Sequence, residues 1–441
     1  MTFKMLESRL SEGLFWQAVN KFKSEQVKPH ESSILTINPH QTYQTHIGFG
    51  GAFTESAAYT WSKLSKDKQQ DIINLYFSQS GLAYTMGRTH INSCDFSLEN
   101  YDYVKPFDSE LKSFDISREE AYVIPMIKEA MKHVPNIKLL ASPWSPPYWM
   151  KTNQNMNHGG KLLPEYKQVW ANYYVKYLDE MLKRGIPYWA ISVQNEPAAV
   201  QTWDSCIYSA EEERDFIKEA LGPTIKAYNK DIRILGWDHN RDIIVQRAKT
   251  LLEDEVSASY TWGIANHWYV SEDFKQLSIV KEMFPDTHLI FTEGCIEGGP
   301  KPGAWLTGLR YARNMIGDLS NHVEGWIEWN LTLDLQGGPN HVGNFCDAPI
   351  LIDTDHNRYI INSSYYAIGH FSKFIREGAK RIHVEGDYPK GVSMVAYQNK
   401  DQSIVMVLLN ESDELKKVNI AIVHEIMAVE LHPHSLLTLF E

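Results

Sequence analysis

Short apolar runs alternate with longer amphipathic stretches from about residue 46 to about residue 330, and this rhythm limits what the chain can fold into more than any other feature. The runs at residues 47–53, 82–90, 137–143, 188–195, 232–238, 261–267, 289–292 and 323–330 have the length and apolar density of buried strands. Helical patterns lie between them. In residues 165–184, Val169, Trp170, Tyr173, Tyr177, Leu178, Met181 and Leu182 recur at helical spacing, with Pro164 opening the segment and Gly185 closing it. Eight β-then-α units in this order have the size and sequence rhythm of a (β/α)8 barrel. A doubly wound sheet is the main competitor, but no G-x-G-x-x-G turn follows any of the strands.

After about residue 370 the texture changes. Residues 391–398 and 403–410 read as short alternating strands joined by the polar turn Asn399-Lys400-Asp401-Gln402, and residues 417–422 and 435–440 read as two more. Residues 33–38 also alternate and are expected to pair with them. The expected organisation is an N-terminal segment, 1–45, contributing to a small antiparallel β-sandwich. A barrel follows over 46–370, and the remainder of the sandwich over 371–441. No internal repeat or low-complexity tract appears.

Composition excludes several classes of function. Net charge is −12 and no run of Lys or Arg is present, which argues against a nucleic-acid groove built on clustered cations. No stretch approaches the ~20 apolar residues of a spanning helix. The opening Met1-Thr2-Phe3-Lys4-Met5-Leu6 is too polar for the core of a signal peptide. The cysteines Cys94, Cys206, Cys295 and Cys346 are widely separated, as expected of reduced, buried thiols in a cytoplasmic protein, although a trimmed secreted protein would read the same way. The 13 Trp and 23 Tyr allow two readings: core packing, or flat platforms for sugar rings.

In such a barrel the C-terminal ends of the strands form the active face. Those ends carry Arg88 and Asp95 (second strand), Trp144 (third), Asn195-Glu196-Pro197 (fourth) and Asp238-His239-Asn240 (fifth). His267-Trp268-Tyr269 (sixth), Thr292-Glu293-Gly294 (seventh) and Glu328-Trp329-Asn330 (eighth) complete the rim. Acids, amides and aromatics converge there, with no ligand spacing of a metal or phosphate site, so neither metal nor cofactor is expected. Two acids stand directly after apolar strands, Glu196 and, three strands on, Glu293. Strands four and seven face each other across a barrel, so these carboxylates can bracket one bond, as glycoside cleavage requires.

The chain resembles glycoside hydrolase family 30, the group that contains lysosomal glucosylceramidase. The resemblance rests on Gly48-Phe49-Gly50-Gly51-Ala52-Phe53-Thr54-Glu55, on Ser93-Cys94-Asp95-Phe96-Ser97, and on the segment Leu140-Ala141-Ser142-Pro143-Trp144-Ser145-Pro146-Pro147-Tyr148-Trp149. It continues through Asn195-Glu196-Pro197, His267-Trp268-Tyr269, Trp329-Asn330-Leu331, Gly337-Gly338-Pro339-Asn340 and Gly369-His370-Phe371. It implies a (β/α)8 barrel with a side β-sandwich, Glu196 as acid/base and Glu293 as nucleophile. It further implies Asp95, Trp144, Asn195 and Trp329 as holders of the non-reducing sugar, Tyr269 near the nucleophile and Asn344 at the pocket mouth. Arg88 and His267 would lie beneath the carboxylates. Glu328 and His341 depart from the glucosylceramidase pattern, which has Asp and Trp there, and the loops after Glu196 and Glu293 also differ.

The expected chemistry is double displacement on a β-D-glucoside, with exo action and no cofactor. Within the family, β-1,6-glucanase and β-xylosidase activity are alternatives, and a non-catalytic carbohydrate-binding barrel is the alternative of another class. As acid, Glu196 should be kept protonated by the neighbouring charge of Glu293, which Arg88 would keep ionised. Simpler readings hold elsewhere. Cys295 is expected as a buried thiol and His432-Pro433-His434 as a turn. The glycosylation-type triplets at Asn330, Asn362 and Asn410 carry no meaning without secretion.

Overall fold

The polypeptide is described by a computed structural model covering residues 3–9, 13–19, 34–422 and 425–441. Eight strands close into a barrel: Gly48–Ala52, Met86–Ile91, Lys138–Pro143, Ala190–Ser192, Arg233–Asn240, Thr261–His267, His288–Glu293 and Gly325–Asn330. They are called barrel strands one to eight below. Every neighbouring pair is parallel, and strand eight pairs back onto strand one. All eight expected strands are present, with ends moved by a few residues. The largest shift is at strand two, which starts at Met86 rather than at residue 82, and the ladder of strand four stops at Ser192, before the Asn195-Glu196-Pro197 triplet.

The barrel fills its own interior. Met86, Leu140, Leu235, Ile290 and Ile327 meet inside it, with Ala190 and Ala265 supplying the small side chains that let the larger ones interdigitate. Close strand approach explains the glycine-rich first strand: a Cβ on Gly50 would lie 2.2 Å from the carbonyl oxygen of Met86. Outside, helices pack on the strands through a second apolar layer. The expected helix after strand three begins with the short turn Pro164–Tyr166 and continues as Lys167–Lys183. It buries Trp170, Tyr173, Tyr177, Leu178 and Met181, and Gly185 at φ +79° carries the chain out of it. Leu182 is exposed, so the apolar stripe is narrower than its spacing suggested.

The second unit is a nine-stranded sheet wrapped around its own core of Leu35, Ile37, Ile382, Met394, Met406, Leu408, Val418, Ile420 and Leu439. Both ends of the chain enter it. Strand Lys4–Arg9 lies antiparallel to Ser435–Phe440, with Met5 opposite Leu439. Strand Ile34–Thr45 lies between Lys380–Glu385 and Lys416–Ile422, and its pairing with Lys416–Ile422 is parallel, the exception in an otherwise antiparallel sheet. Residue 33, the expected start of that strand, lies outside the described residues. The sheet docks on the barrel through the ring of His370, whose nitrogens sit 2.8 Å from Ser8 Oγ and 2.8 Å from Thr438 Oγ1. Trp305 adds a donor to the carbonyl of His434. No helix among the described residues is long and apolar enough to cross a membrane.

Candidate active site

The floor of the site is one buried arginine. Arg88 leaves strand two with no solvent exposure and uses its whole fork. Nη1 donates to Glu293 Oε2 at 2.6 Å, Nη2 donates to Asn195 Oδ1 at 2.8 Å and to Asp238 Oδ2 at 2.9 Å, and Nε donates to Ser142 Oγ at 3.1 Å. Its guanidinium also lies 4.8 and 5.4 Å from the ring centroids of Trp144 and Trp329, which stack on each other at 5.2 Å. One cation thus fixes side chains from five barrel strands and loops. Because Asn195 accepts from Arg88, its amide oxygen is turned inward and its NH2 is left for the cavity.

Asp238 at the end of strand five is the opposite pole. It is fully buried, and accepts from Arg88, from Ser192 Oγ at 2.5 Å, Thr292 Oγ1 at 2.6 Å and Ser142 Oγ at 3.0 Å, and faces His267 Nε2 at 3.1 Å. Burial alone would raise its pKa, but the Arg88 charge and the bond to His267 outweigh that and hold it far below the usual carboxylate range. The other ring nitrogen of His267 faces Glu196 Oε1 at 3.2 Å. Burial would lower His267; the surrounding charges of Glu293, Asp238 and Glu196 instead push it up to about 9.

Glu196 sits at φ +47°, a left-handed conformation rare outside glycine, and its N–H is tied to the carbonyl of Asp238. Such backbone strain concentrates where side-chain aim matters. Glu293 ends strand seven and accepts from Tyr269 Oη at 2.8 Å as well as from Arg88. The next residue is a glycine for a packing reason: a Cβ on Gly294 would lie 2.7 Å from Phe291 and 2.8 Å from Trp268. One oxygen of Glu196, one of Glu293 and a ring nitrogen of His267 all fall within 4.8 Å of one another. That spacing could hold an ion, but both nitrogens of His267 already face carboxylates and the Arg88 cation bonds Glu293, so the cluster is neutralised from within.

The protonation pattern differs from the expectation for the acid. Burial raises Glu293, and the charge of Glu196 adds to this against the pull of His267 and Arg88. Burial would raise Glu196 too, but His239 and His267 hold it down to about 2. The expected raising of Glu196 by Glu293 is therefore overturned by two histidines that the chain brings from strands five and six. His267, raised to about 9, stands 3.2 Å from Glu196.

A cavity of 290 Å³ opens above the carboxylates, lined by Asp95, Trp144, Asn195, Glu196, Tyr269, Glu293, Trp329 and Asn344 among others. Every expected sugar-site residue is therefore gathered in one place, with Arg88 and His267 beneath. Asp95 Oδ2 accepts from Asn344 at 3.0 Å and Asn340 at 3.2 Å, and burial pushes its carboxyl up to about 7. Sequence reasoning missed the roles of Asp238, His239 and Asn240, visible only as polar residues at a strand end. It also missed the lining residues Gln201, Trp203 and Glu297, which lie on loops without periodic signal.

The comparisons with known proteins agree with the barrel-and-sandwich architecture. The model of the glycosyl hydrolase family 30 TIM-barrel domain matches residues 46–375, and that of the family 30 beta sandwich domain matches residues 378–439. The chain belongs to glycosyl hydrolase family 30. It is 37% identical to lysosomal acid glucosylceramidase of Mus musculus over 402 residues, 86% of this chain and 78% of that protein. The crystal structure of SrfJ from Salmonella typhimurium is 37% identical and superposes with a TM-score of 0.95, covering 100% of this chain and 99% of that one. An endo-β1,6-glucanase structure, 28% identical, superposes with a TM-score of 0.90 and covers 99% of both chains.

Within this family 30 chain the departures have physical roles. Glu328 is buried and accepts from Tyr84 Oη at 2.7 Å, and burial raises its pKa well above the usual value. His341 places Nδ1 3.3 Å from the carbonyl of Ser97 and Nε2 3.5 Å from Asp204, tying together the loops after strands two, four and eight. Cys295 is a buried thiol beside Cys346 and 3.6 Å from Tyr269 Oη. His432 and His434 each face a separate acid, Glu7 and Asp413, and do not converge.

Proposed function

We propose that this family 30 glycosidase is a retaining β-glycoside hydrolase that removes terminal β-D-glucosyl units, with Glu293 as nucleophile and Glu196 as acid/base. The observation that carries the reading is the approach of the two carboxylates to within 4.8 Å at one end of an aromatic cavity. Retention calls for carboxyl groups ~5–5.5 Å apart, whereas inversion needs ~6.5–9.5 Å to admit a water.

In the first step Glu293, braced by Arg88 and Tyr269, attacks the anomeric carbon while Glu196 protonates the leaving oxygen. The proton reaches Glu196 from His267 across their 3.2 Å contact. In the second step Glu196 takes a proton from water, and the resulting attack releases the sugar with its configuration retained. Asn195 offers its NH2 to the 2-hydroxyl, a bond that strengthens as positive charge grows at the ring. Asp95 and Asn344 take hydroxyls at the far side, and Trp144 and Trp329 form the apolar wall. The 290 Å³ volume of the cavity suits a single terminal sugar, which supports exo action.

A second reading, endo-β-1,6-glucanase, is favoured by the likeness to the glucanase structure over 99% of the chain. A panel of aryl β-glucosides, β-xylosides, glucosylceramide and a β-1,6-glucan separates the two. Glucose as the first product supports exo action, and oligosaccharides from the glucan support the alternative. Glu293→Gln should lower kcat by at least ~1000-fold while still binding glucose in calorimetry. Full activity in that variant refutes the assignment.

A further inference from the structure

His239 takes no part in the steps proposed above, yet it stands against the acid/base, whose charge state it helps to set. It ends strand five, lines the cavity, and is 8% exposed. Its Nε2 lies 3.6 Å from Glu196 Oε1, the same oxygen that His267 approaches from the other side at 3.2 Å. No protein group bonds Glu196 Oε2 among the described residues.

The ring nitrogen Nδ1 of His239 is buried and without a partner. A buried N–H with nothing to bond costs more than a buried lone pair, and orphaned N–H groups are correspondingly rarer. Nδ1 is therefore the bare nitrogen and Nε2 carries the hydrogen, aimed at Glu196. At 3.6 Å the contact is too long for a hydrogen bond, and an approach of a few tenths of an ångström makes it one. Catalytic contacts commonly tighten in this way once substrate fills the site.

We infer that His239 is a positioning residue for the acid/base: together with His267 it clamps Oε1 of Glu196, so that Oε2 is the oxygen that meets the leaving group. The inference rests on the reading of Glu196 as acid/base. The N–H of His239 stabilises the ionised carboxylate that forms as the proton departs, and contributes little while Glu196 is protonated. Arg88, His267, Glu293 and Glu297 also face Glu196, and Asp242 and Arg247 flank His239. None of these supplies a second neutral donor to Oε1.

The test compares two substrates that differ in their need for acid assistance. Alkyl β-glucosides require a proton on the leaving oxygen, and 2,4-dinitrophenyl β-glucoside does not. In His239→Phe, kcat/KM for the alkyl glucoside should fall roughly 10-fold or more, and that for the dinitrophenyl glucoside should stay within about 3-fold. The basic limb of the alkyl profile should move to higher pH, because the ionised carboxylate has lost a donor. His239→Gln, which carries an N–H near the Nε2 position, should restore the alkyl rate; His239→Asn, whose amide is too short, should not. Equal losses on both substrates, an unmoved basic limb, or rescue by Asn rather than Gln would overturn the inference. If the unaltered protein cleaves neither glucoside, the proposed function fails instead.

Discussion

Arg88→Met isolates the largest electrostatic element of the site. The substitution keeps an unbranched chain of similar reach but leaves two buried carboxylates, Glu293 and Asp238, without their common cation. Removing one partner of a buried ion pair costs ~3–5 kcal/mol. Asn195 and Ser142 each lose a donor, at ~1 kcal/mol apiece. The expected loss is thus about 5–7 kcal/mol, a large share of the 5–15 kcal/mol typical of a folded domain. The pH dependence carries a sign. Asp238 is depressed in the native state relative to its ordinary 3.8, so its contribution is fully present above that value and is lost as the pH falls below it. The deficit of Arg88→Met, measured by urea unfolding, should therefore persist from pH 7 down to about pH 4 and shrink only as the pH falls further. Kinetically, loss of the cation favours protonated Glu293, so the acid limb of kcat/KM should move to higher pH. Arg88→Lys retains charge without the fork and should fall between the two. A Met variant within ~1 kcal/mol of the parent at pH 7, or one whose deficit does not shrink as the pH falls below about 4, would refute the view of Arg88 as the shared counter-charge.

Three further outcomes are expected. Asp95, with its pKa pushed up to about 7, loses its charge as the pH falls through that value, so KM should rise below pH 7. Asp95→Asn should make KM high and flat over the same range in initial-rate measurements. Gly294→Ala forces a methyl to within 2.8 Å of two aromatic rings and should cost ~1–3 kcal/mol in thermal or urea unfolding; an unchanged midpoint would contradict the packing described. His267, raised to about 9, should remain protonated at pH 8 when its ring resonances are followed by NMR, and the Asp238→Asn exchange should lower that titration.

The barrel was legible because its strands are dense apolar runs set off by glycine, proline and polar turns, a pattern that survives without knowledge of neighbours. The sheet domain was legible only in part. Lys4–Arg9, Leu14–Ala18, Lys380–Glu385 and Glu425–Leu431 carry charges or short alternations that look like loop until their partners are known. The site divides in the same way. Glu196 and Glu293 announce themselves by standing at strand ends. The charge state of Glu196 does not, because it is set by His239 and His267, which arrive from other strands and act only at ångström range. Similarly, Cys295 and Cys346 are remote in sequence and become neighbours only through the closure of the loops that carry them.

The zipper between Lys4–Arg9 and Ser435–Phe440 bears on how this molecule is made. A ribosome delivers Lys4–Arg9 ahead of the barrel and Ser435–Phe440 after it, so the early strand must wait through the synthesis of the whole barrel before its mate exists. Pairings that span the length of a polypeptide form slowly, since the loop they close is the longest available. The barrel can therefore assemble ahead of its companion sheet, and during that interval the apolar side chains of the waiting strand are the surface on which a chaperone, or a misfolded neighbour, would first take hold.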